Sequence, residues 1–167
     1  RIGITMGDPA GIGPEVILRA LQDLAIRSLA DFLILGDAAV LRRTAEQLRL
    51  ECPYPVVPVR SDLAKAPAGI VIADFANAAE VTPGEASADG GRASLAYIEK
   101  SIDLALAGTL QAVVTGPINK QSTMMAGSPM AGHTEIFASR TGTRQPVMML
   151  AGEHLRVALV TTHLALK

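Results

Sequence analysis

The sequence predicts an α/β fold: a mostly parallel sheet covered by helices on both faces, an α/β/α sandwich. Short apolar runs, typical of buried strands, alternate along the chain with segments whose apolar residues recur at helical spacing. The predicted strands are residues 2–6, 31–36, 56–59, 69–74, 111–115, 146–150 and 155–161, with a turn at 152–154 between the last two. Because strands and helices alternate, we expect neighbouring strands to run parallel and to be buried on both faces.

Local signals place the helices. Pro14 suits the first turn of a helix, and Asp37 is a typical N-cap for the next one. The apolar positions that define the three longer helices are Ile17, Leu21, Leu24 and Ala25, then Val40, Leu41, Ala45 and Leu48, then Leu95, Ile98, Ile102 and Leu106. Shorter helices are predicted at 120–126 and 134–140. Residues 77–91 are small and polar, which predicts a long loop, and such loops are often functional.

Composition narrows the class of protein. The 167 residues include 49% hydrophobic and 19% charged residues, enough for one folded region of ordinary domain size. A net charge of -1 and 3% aromatic residues give no basis for binding nucleic acid or an anionic membrane. The single cysteine, Cys52, excludes an intramolecular disulfide and a thiolate metal cluster. No apolar run reaches the ~18 residues of a membrane span and no secretory signal is evident, so we expect a cytoplasmic protein.

Four polar segments follow predicted strands or begin helices: residues 7–15, 115–120, 132–135 and 161–163. The first lacks the Lys and Ser/Thr of a P-loop, and Val16 stands where a dinucleotide fingerprint has its third glycine. It is therefore either a loop that faces an anion or a metal-bound substrate, or a plain tight turn. In the second segment, Lys120 is either a point charge for phosphate or carboxylate or simply a solvated lysine.

The other two segments contain candidate histidines. His133 and Thr134 place an imidazole beside a hydroxyl, which suits binding of a phosphorylated hydroxy acid, although either residue could instead cap the short helix. His163 follows an apolar strand, where metal ligands often project. One histidine makes no metal site, since catalytic zinc usually takes three protein ligands. His154 lies in the predicted turn and is assigned no role.

Together these segments resemble one family. The stretches ITMGDPAGIGPE, VVTGPINK, GHTEIF and VMMLAGEHLRVALVTTHLAL are similar, in order, to those of the 4-hydroxythreonine-4-phosphate dehydrogenases of pyridoxine biosynthesis. The resemblance spans the whole chain but covers only about the first half of such an enzyme. It implies a fold related to the isocitrate and isopropylmalate dehydrogenases. Residues 1–167 would then be a single α/β region, the N-terminal portion of a roughly twofold longer two-domain enzyme; a strand at a free terminus is the alternative explanation of how the sequence ends.

The resemblance also implies a reaction and an assembly. The family oxidises 4-phosphohydroxy-L-threonine with NAD or NADP, and the product loses CO2 to give 3-amino-2-oxopropyl phosphate. A divalent cation (zinc, cobalt or magnesium) is expected, held by three histidines from both subunits of a homodimer with a shared active site.

Matched motif by motif, His133 and Thr134 fall at the family's substrate-binding pair and His163 at its first metal-binding histidine. The remaining ligands and most of the cofactor site would lie beyond Lys167, so no NAD-binding residue is assigned. Lys120 and Asp8 lie in the family's motifs without an assigned role.

Two other functions stay open. A relative with the same chemistry could act on threonate or erythronate 4-phosphate, or on a cyclic dihydrodiol carboxylate. A non-catalytic phosphate- or nucleotide-binding module is the alternative from a different class, because only one of the three histidines is a credible metal ligand. A purely structural domain is the weakest interpretation, since four polar motifs cluster near predicted strand ends.

Overall fold

The computed structural model describes residues 1–129 and 132–161, and it confirms the α/β architecture there. The described strands are β1 (Ile2–Thr5), β2 (Phe32–Gly36), β3 (Val56–Pro58), β4 (Ile70–Asp74), β5 (Ala112–Thr115), β6 (Met149–Ala151) and β7 (Arg156–Ala158). The described α-helices are α1 (Gly13–Ala20), α2 (Leu24–Arg27), α3 (Ala38–Leu48), α4 (Ala88–Leu106), α5 (Lys120–Met125) and α6 (His133–Thr141). A 3-10 turn spans Leu63–Lys65.

Five strands form one parallel sheet in the order β3-β4-β2-β1-β5. Strand β1 pairs with both β2 and β5, so that Ile2 lies between Phe32 and Ala112. Strands β6 and β7 form a separate antiparallel ribbon. Because the five strands are parallel, the loops that follow β1, β2, β4 and β5 all leave from one edge of the sheet. The polar segments after β1 and β5 therefore become neighbours.

The core forms where the apolar strands meet the helices. All five residues of β2 are buried, and α4 packs on β1, β2 and β5. Helix α1 packs against α3. The fully buried side chains include Leu33, Ile34, Ile72 and Leu41, as the apolar patterns predict.

The side chain of Asp37 forms hydrogen bonds both to the start of α3 and to the loop that follows β4. Its Oδ1 accepts hydrogen bonds from the backbone N–H groups of Ala39 (2.9 Å) and Val40 (3.1 Å), which confirms the predicted N-cap of α3. Its Oδ2 accepts from the N–H groups of Asn77 (2.9 Å) and Ala78 (2.8 Å). One buried carboxylate thus satisfies four backbone donors and fixes the start of the loop after β4.

Two predicted helix boundaries are wrong. The first helix ends at Ala20, and Leu24 begins the separate helix α2, where it is 74% exposed. The Asp23 carboxylate accepts from the N–H of Ala25, so this side chain caps a new helix instead of continuing the old one. Helix α4 begins at Ala88, inside the predicted loop, because Ser87 accepts a cap hydrogen bond from the N–H of Gly90.

The ribbon and the β5 edge differ from the core in exposure. Every residue of β6 and β7 is exposed, as are Val147, Leu155 and Val160 around them. On β5, Val114 is 53% exposed. None of the described helices is long and apolar enough to cross a membrane.

The four hydrogen bonds of Asp37 predict an unusually costly substitution. We expect Asp37→Ala to lower the free energy of unfolding by about 3 kcal/mol or more, because two loop donors lose their acceptor together with the helix cap. The matched control, Asp23→Ala, removes an exposed cap alone and should cost about 1 kcal/mol or less. Urea unfolding of both variants measures the difference, and equal losses would contradict the role of Asp37 in holding the loop.

Candidate functional site

The loops after β1 and β5 touch each other closely. The N–H of Asp8 donates to the carbonyl of Pro117 at 2.9 Å. Gly7 adopts a φ of 76°, and a Cβ at this position would lie 2.3 Å from the Pro117 carbonyl oxygen. Only glycine satisfies both the backbone conformation and the contact. The polar segments at 7–15 and 115–120 therefore form one continuous surface, as expected for adjacent parallel strands.

Asp8 places a buried carboxylate at this junction. Its side chain is 2% exposed; Oδ1 accepts from the N–H of Ala10 at 2.8 Å, and Oδ2 accepts from the hydroxyl of Ser122 at 3.0 Å. Within the described ranges Asp8 takes part in no ion pair. Neutral donors thus offset the desolvation of its charge.

Ser122 also holds helix α5 against the start of α4. A Cβ on Gly91 would lie 1.9 Å from the carbonyl oxygen of Ser122, so the two helices approach to a distance that only glycine allows. The hydroxyl of Ser122 also accepts from the N–H of Ser87 at 3.3 Å, and its own N–H donates to the Asn119 side-chain oxygen at 3.1 Å. Asn119 is therefore the N-cap of α5.

Two cavities adjoin this framework. The first has a volume of about 370 Å3, and its wall includes Asp8, Gly11, Glu85, Asn119 and Lys120. The second has a volume of about 570 Å3, and its wall includes Lys120, His133, Thr134, Glu135 and Thr161. Both volumes are typical of small-molecule sites (~300–1,000 Å3). Lys120 lines both cavities.

His133 is the first residue of α6, and its ring is half-buried. The expectation that His133 or Thr134 caps this helix is wrong: the N-cap is Gly132, in an extended conformation, and no side chain makes a cap hydrogen bond. Nε2 of His133 is buried without a hydrogen-bond partner in the part of the chain that the structure describes. Burial lowers the pKa of the imidazole below its ordinary value of 6.5, which favours the neutral ring at pH 7.

The position of α6 is fixed by charge pairs with α4. The guanidinium of Arg140 pairs with Glu99 and, at 2.5 Å, with Asp103. Ile136, which is buried about one helical turn before Arg140, packs against Ile98 and Ile102 of α4. These contacts fix the helix whose first residues are His133 and Thr134.

The predicted site residues have different outcomes. The structure brings His133 and Thr134 to one cavity with Lys120, and Thr134 is exposed there. The predicted metal ligand His163 lies outside the described residues. Among residues 1–129 and 132–161, no group of three or more His, Cys, Asp or Glu side chains is placed to hold a metal ion. His154 is exposed in the ribbon turn.

Sequence reasoning missed two polar pairs near the site, one buried and one partly buried. One is Asp8 with Ser122, 114 residues apart; the other is Tyr97, whose hydroxyl donates to the Asn77 side-chain oxygen at 2.8 Å. Burial, and then the charges of the nearby aspartates, raises the pKa of the Tyr97 phenol, so it stays a donor. An aspartate directly after a buried strand was the available signal for the first pair, but nothing local identified its partner.

Comparisons with known proteins agree on one family. The family model of the "Pyridoxal phosphate biosynthetic protein PdxA" matches residues 28–167. A 4-hydroxythreonine-4-phosphate dehydrogenase of Desulfosudis oleivorans is 44% identical over 173 residues, which cover 99% of this chain and 49% of the relative. A protein of Symbiobacterium thermophilum named "Putative D-threonate 4-phosphate dehydrogenase" is 38% identical over 167 residues, 99% of this chain and 50% of the relative.

Solved structures agree as well. The crystal structure of a 4-hydroxythreonine-4-phosphate dehydrogenase from Burkholderia phymatum matches with a TM-score of 0.87 and 33% identity. The match covers 98% of this chain and 50% of the crystallised one. This chain therefore spans about half the length of the curated relatives it matches.

The buried imidazole of His133 predicts a pH dependence of stability. Because its pKa is lower in the folded than in the unfolded chain, the unfolded state binds the proton more readily. The His133 contribution to stability is thus fully present above the unfolded value of 6.5 and decreases as pH falls below it. We expect His133→Gln to remove this contribution and the exposed-site control His154→Gln to retain it. Urea unfolding between pH 5 and about 8 measures the effect; a wild-type profile unaffected by His133→Gln would contradict it.

Proposed function

Because this chain belongs to the family of the pyridoxal phosphate biosynthetic protein PdxA, we propose that the whole protein oxidises 4-phosphohydroxy-L-threonine with NAD or NADP. The oxidation product then loses CO2 to give 3-amino-2-oxopropyl phosphate. The names of the relatives support a dehydrogenase acting in pyridoxal phosphate biosynthesis. The described residues contribute one part of the site, the part that carries His133 and Thr134.

The observation that carries this proposal is the second cavity. It combines a neutral imidazole, an exposed hydroxyl and an ammonium group, from His133, Thr134 and Lys120, in one space of about 570 Å3. A phosphorylated hydroxy acid presents hydroxyl and anionic oxygen groups. Neutral His133 can donate or accept a hydrogen bond, and Thr134 can do both at once. Nε2 of His133 is buried and has no hydrogen-bond partner among the described residues. A hydrogen bond from this atom to the ligand is therefore favourable, because no existing hydrogen bond has to be broken to form it.

Alcohol oxidation takes a proton from the hydroxyl and a hydride from its carbon. In the proposal, His133 and Thr134 bind and orient the substrate so that this carbon faces the hydride acceptor. A nicotinamide cofactor supplies the acceptor when bound. The first cavity adjoins the second at Lys120, and the apolar side chains of Ile12, Pro117 and Ile118 on its wall suit one flat face of a ring. Its volume of about 370 Å3 suits only one end of a dinucleotide.

A divalent cation (zinc, cobalt or magnesium) stays part of the proposal for the whole protein. The residues described here do not form a cation site by themselves, so no step of the reaction is derived through a metal. His163 is the metal-binding candidate in this sequence, and further ligands would come from additional chain or from a second subunit. We propose a homodimer with a shared active site for this reason.

The length of the relatives supports a proposal for the arrangement of the whole protein. The curated relatives are about twice as long, so we propose that residues 1–167 are a single α/β region at the N-terminal side of a two-domain enzyme. A cytoplasmic location suits a small phosphorylated substrate and a nicotinamide cofactor.

A second substrate has a specific observation in its favour. One relative covering 99% of this chain carries the D-threonate 4-phosphate name, and threonate 4-phosphate keeps both the phosphate and the secondary alcohol. It differs in replacing the amino group by a hydroxyl. Comparing kcat/KM for the two substrates in the full-length protein tests the choice. Higher kcat/KM for threonate 4-phosphate would replace the first substrate and keep the reaction class.

Removing the two side chains at the start of α6 tests the proposed substrate site. We expect His133→Ala and Thr134→Val each to raise KM for the phosphorylated substrate about tenfold or more, since each loses a hydrogen bond to a polar ligand in a partly buried site. The exposed-hydroxyl control Thr82→Val should change KM little. Steady-state kinetics of the full-length protein measures this, and unchanged KM in both site variants would contradict the assignment.

Metal removal gives a separate prediction. We expect chelation by EDTA to abolish turnover of the full-length protein and added zinc, cobalt or magnesium to restore it. His163→Ala should weaken the bound metal, measured by elemental analysis after dialysis, while His154→Ala should leave metal content unchanged. Full activity in a metal-free preparation would remove the cation from the proposal.

A further inference from the structure

Asp8 holds both ends of the segment that contains Lys120. Its backbone N–H donates to the carbonyl of Pro117 at 2.9 Å, and its carboxylate accepts from the hydroxyl of Ser122 at 3.0 Å. The segment between these contacts, residues 117–122, includes the N-cap Asn119 and the first residue of α5, Lys120. Within its own turn Asp8 accepts from the N–H groups of Ala10 and Gly11, so the contact with Ser122 is not part of the turn and joins it to α5.

Ser122 connects Asp8 to the first turn of α5 through hydrogen bonds. It is fully buried, and its hydroxyl lies between the Asp8 carboxylate and the N–H of Ser87. Its own N–H is bound by Asn119, one residue before Lys120. The backbone on both sides of Lys120 is therefore held by hydrogen bonds, although its side chain is exposed.

The ammonium of Lys120 has no ion-pair partner in the described part of the chain. Its side chain lines both cavities, with Asp8 and Glu85 on the first and His133 and Glu135 on the second. The Asp8 carboxylate accepts hydrogen bonds from Ala10 and Ser122, and among the described residues it forms no ion pair with this lysine. Next to a neutral His133, Lys120 is the cationic side chain on the described wall of the second cavity.

We propose that Lys120 binds an anionic oxygen group of the substrate, and that Asp8 is a positioning residue that holds Lys120 at the shared wall through Ser122. This inference rests on the proposed function for the identity of the substrate. To that function the inference adds Lys120 as a residue that makes the site prefer acidic substrates. A lysine has a long flexible stem, so an anchored backbone reduces the entropy lost when its ammonium meets an anion.

Removing the charge of Lys120 tests the first part of the proposal, that this side chain binds an anionic oxygen group of the substrate. Lys120→Met in the full-length protein should raise KM for 4-phosphohydroxy-L-threonine at least about tenfold, and Lys120→Arg should recover part of the loss. The control Lys65→Met removes an exposed lysine on the 3-10 turn, outside the lining of both cavities, and should leave KM unchanged. Repeating the measurement with dephosphorylated 4-hydroxy-L-threonine identifies the group: a penalty that disappears assigns phosphate, and one that persists assigns carboxylate. An unchanged KM for both substrates overturns the proposal.

Two matched serine variants test the second part of the proposal, that Asp8 positions Lys120 through Ser122. Ser122→Ala removes the link to Asp8, whereas Ser101→Ala removes an equally buried helix hydroxyl that bonds only within α4. We expect similar losses of thermal stability, but a several-fold higher KM only in Ser122→Ala, with kcat nearly unchanged. Equal KM values in the two variants overturn the positioning role.

A readout without turnover separates this inference from the proposed function. Crystal structures of Ser122→Ala and Ser101→Ala should show residues 117–122 displaced only in the former, and calorimetric titration with inorganic phosphate should show weaker binding only in the former and in Lys120→Met. If the wild type oxidises neither phosphorylated substrate, the proposed function fails while these two results still decide the role of Asp8. An unmoved segment with unchanged phosphate binding overturns the inference.

Discussion

One buried carboxylate organises the edge of the sheet where ligands are expected. Asp8 follows β1, is shielded from water, and needs donors that its own turn supplies only in part. The remaining donor comes from Ser122, so α5 has to lie where its hydroxyl reaches the carboxylate. This hydrogen bond and the packing on α4 together hold α5 in place, and the first residue of α5, Lys120, lines both cavities.

The glycines of the first loop are explained by backbone crowding. A Cβ at Gly13 would lie 2.0 Å from the carbonyl oxygen of Met6, and one at Gly116 would lie 2.6 Å from the same atom. Together with Gly7, they let β1, β5 and α1 meet without side chains between them. The loop contains a Gly-x-Gly pattern like that of nucleotide-binding loops, yet the groups that approach Gly7 and Gly13 are the backbone carbonyls of Pro117 and Met6. Glycine in such a motif therefore indicates close approach of backbone segments and is not by itself evidence of a phosphate-binding site.

The sequence predicted those parts of the molecule that depend on local pattern. The apolar runs located all five strands of the parallel sheet, and Asp37 was recognised as a cap from its position alone. Boundaries failed where a side chain competed with the backbone, as at Asp23 and Ser87. The pairing of Asp8 with Ser122 could not be predicted, because it joins residues 114 positions apart and depends on how α5 packs on α4. The family resemblance assigned His133 and Thr134 to a substrate site but gave no role to Lys120, whose place beside them depends on the fold.

The charges around the two cavities determine which ligand they favour. If Asp8 paired with Lys120, each would neutralise the other, and the shared wall would offer an incoming anion little attraction. Neutral donors satisfy Asp8 instead, and burial keeps His133 uncharged, so the cationic character of the second cavity comes from Lys120. Glu85 lines the first cavity and Glu135 the second, and each carboxylate disfavours anions that bind close to it. The charge of Lys120 thus lies on the same cavity wall as His133 and Thr134, the two residues that we propose bind the substrate.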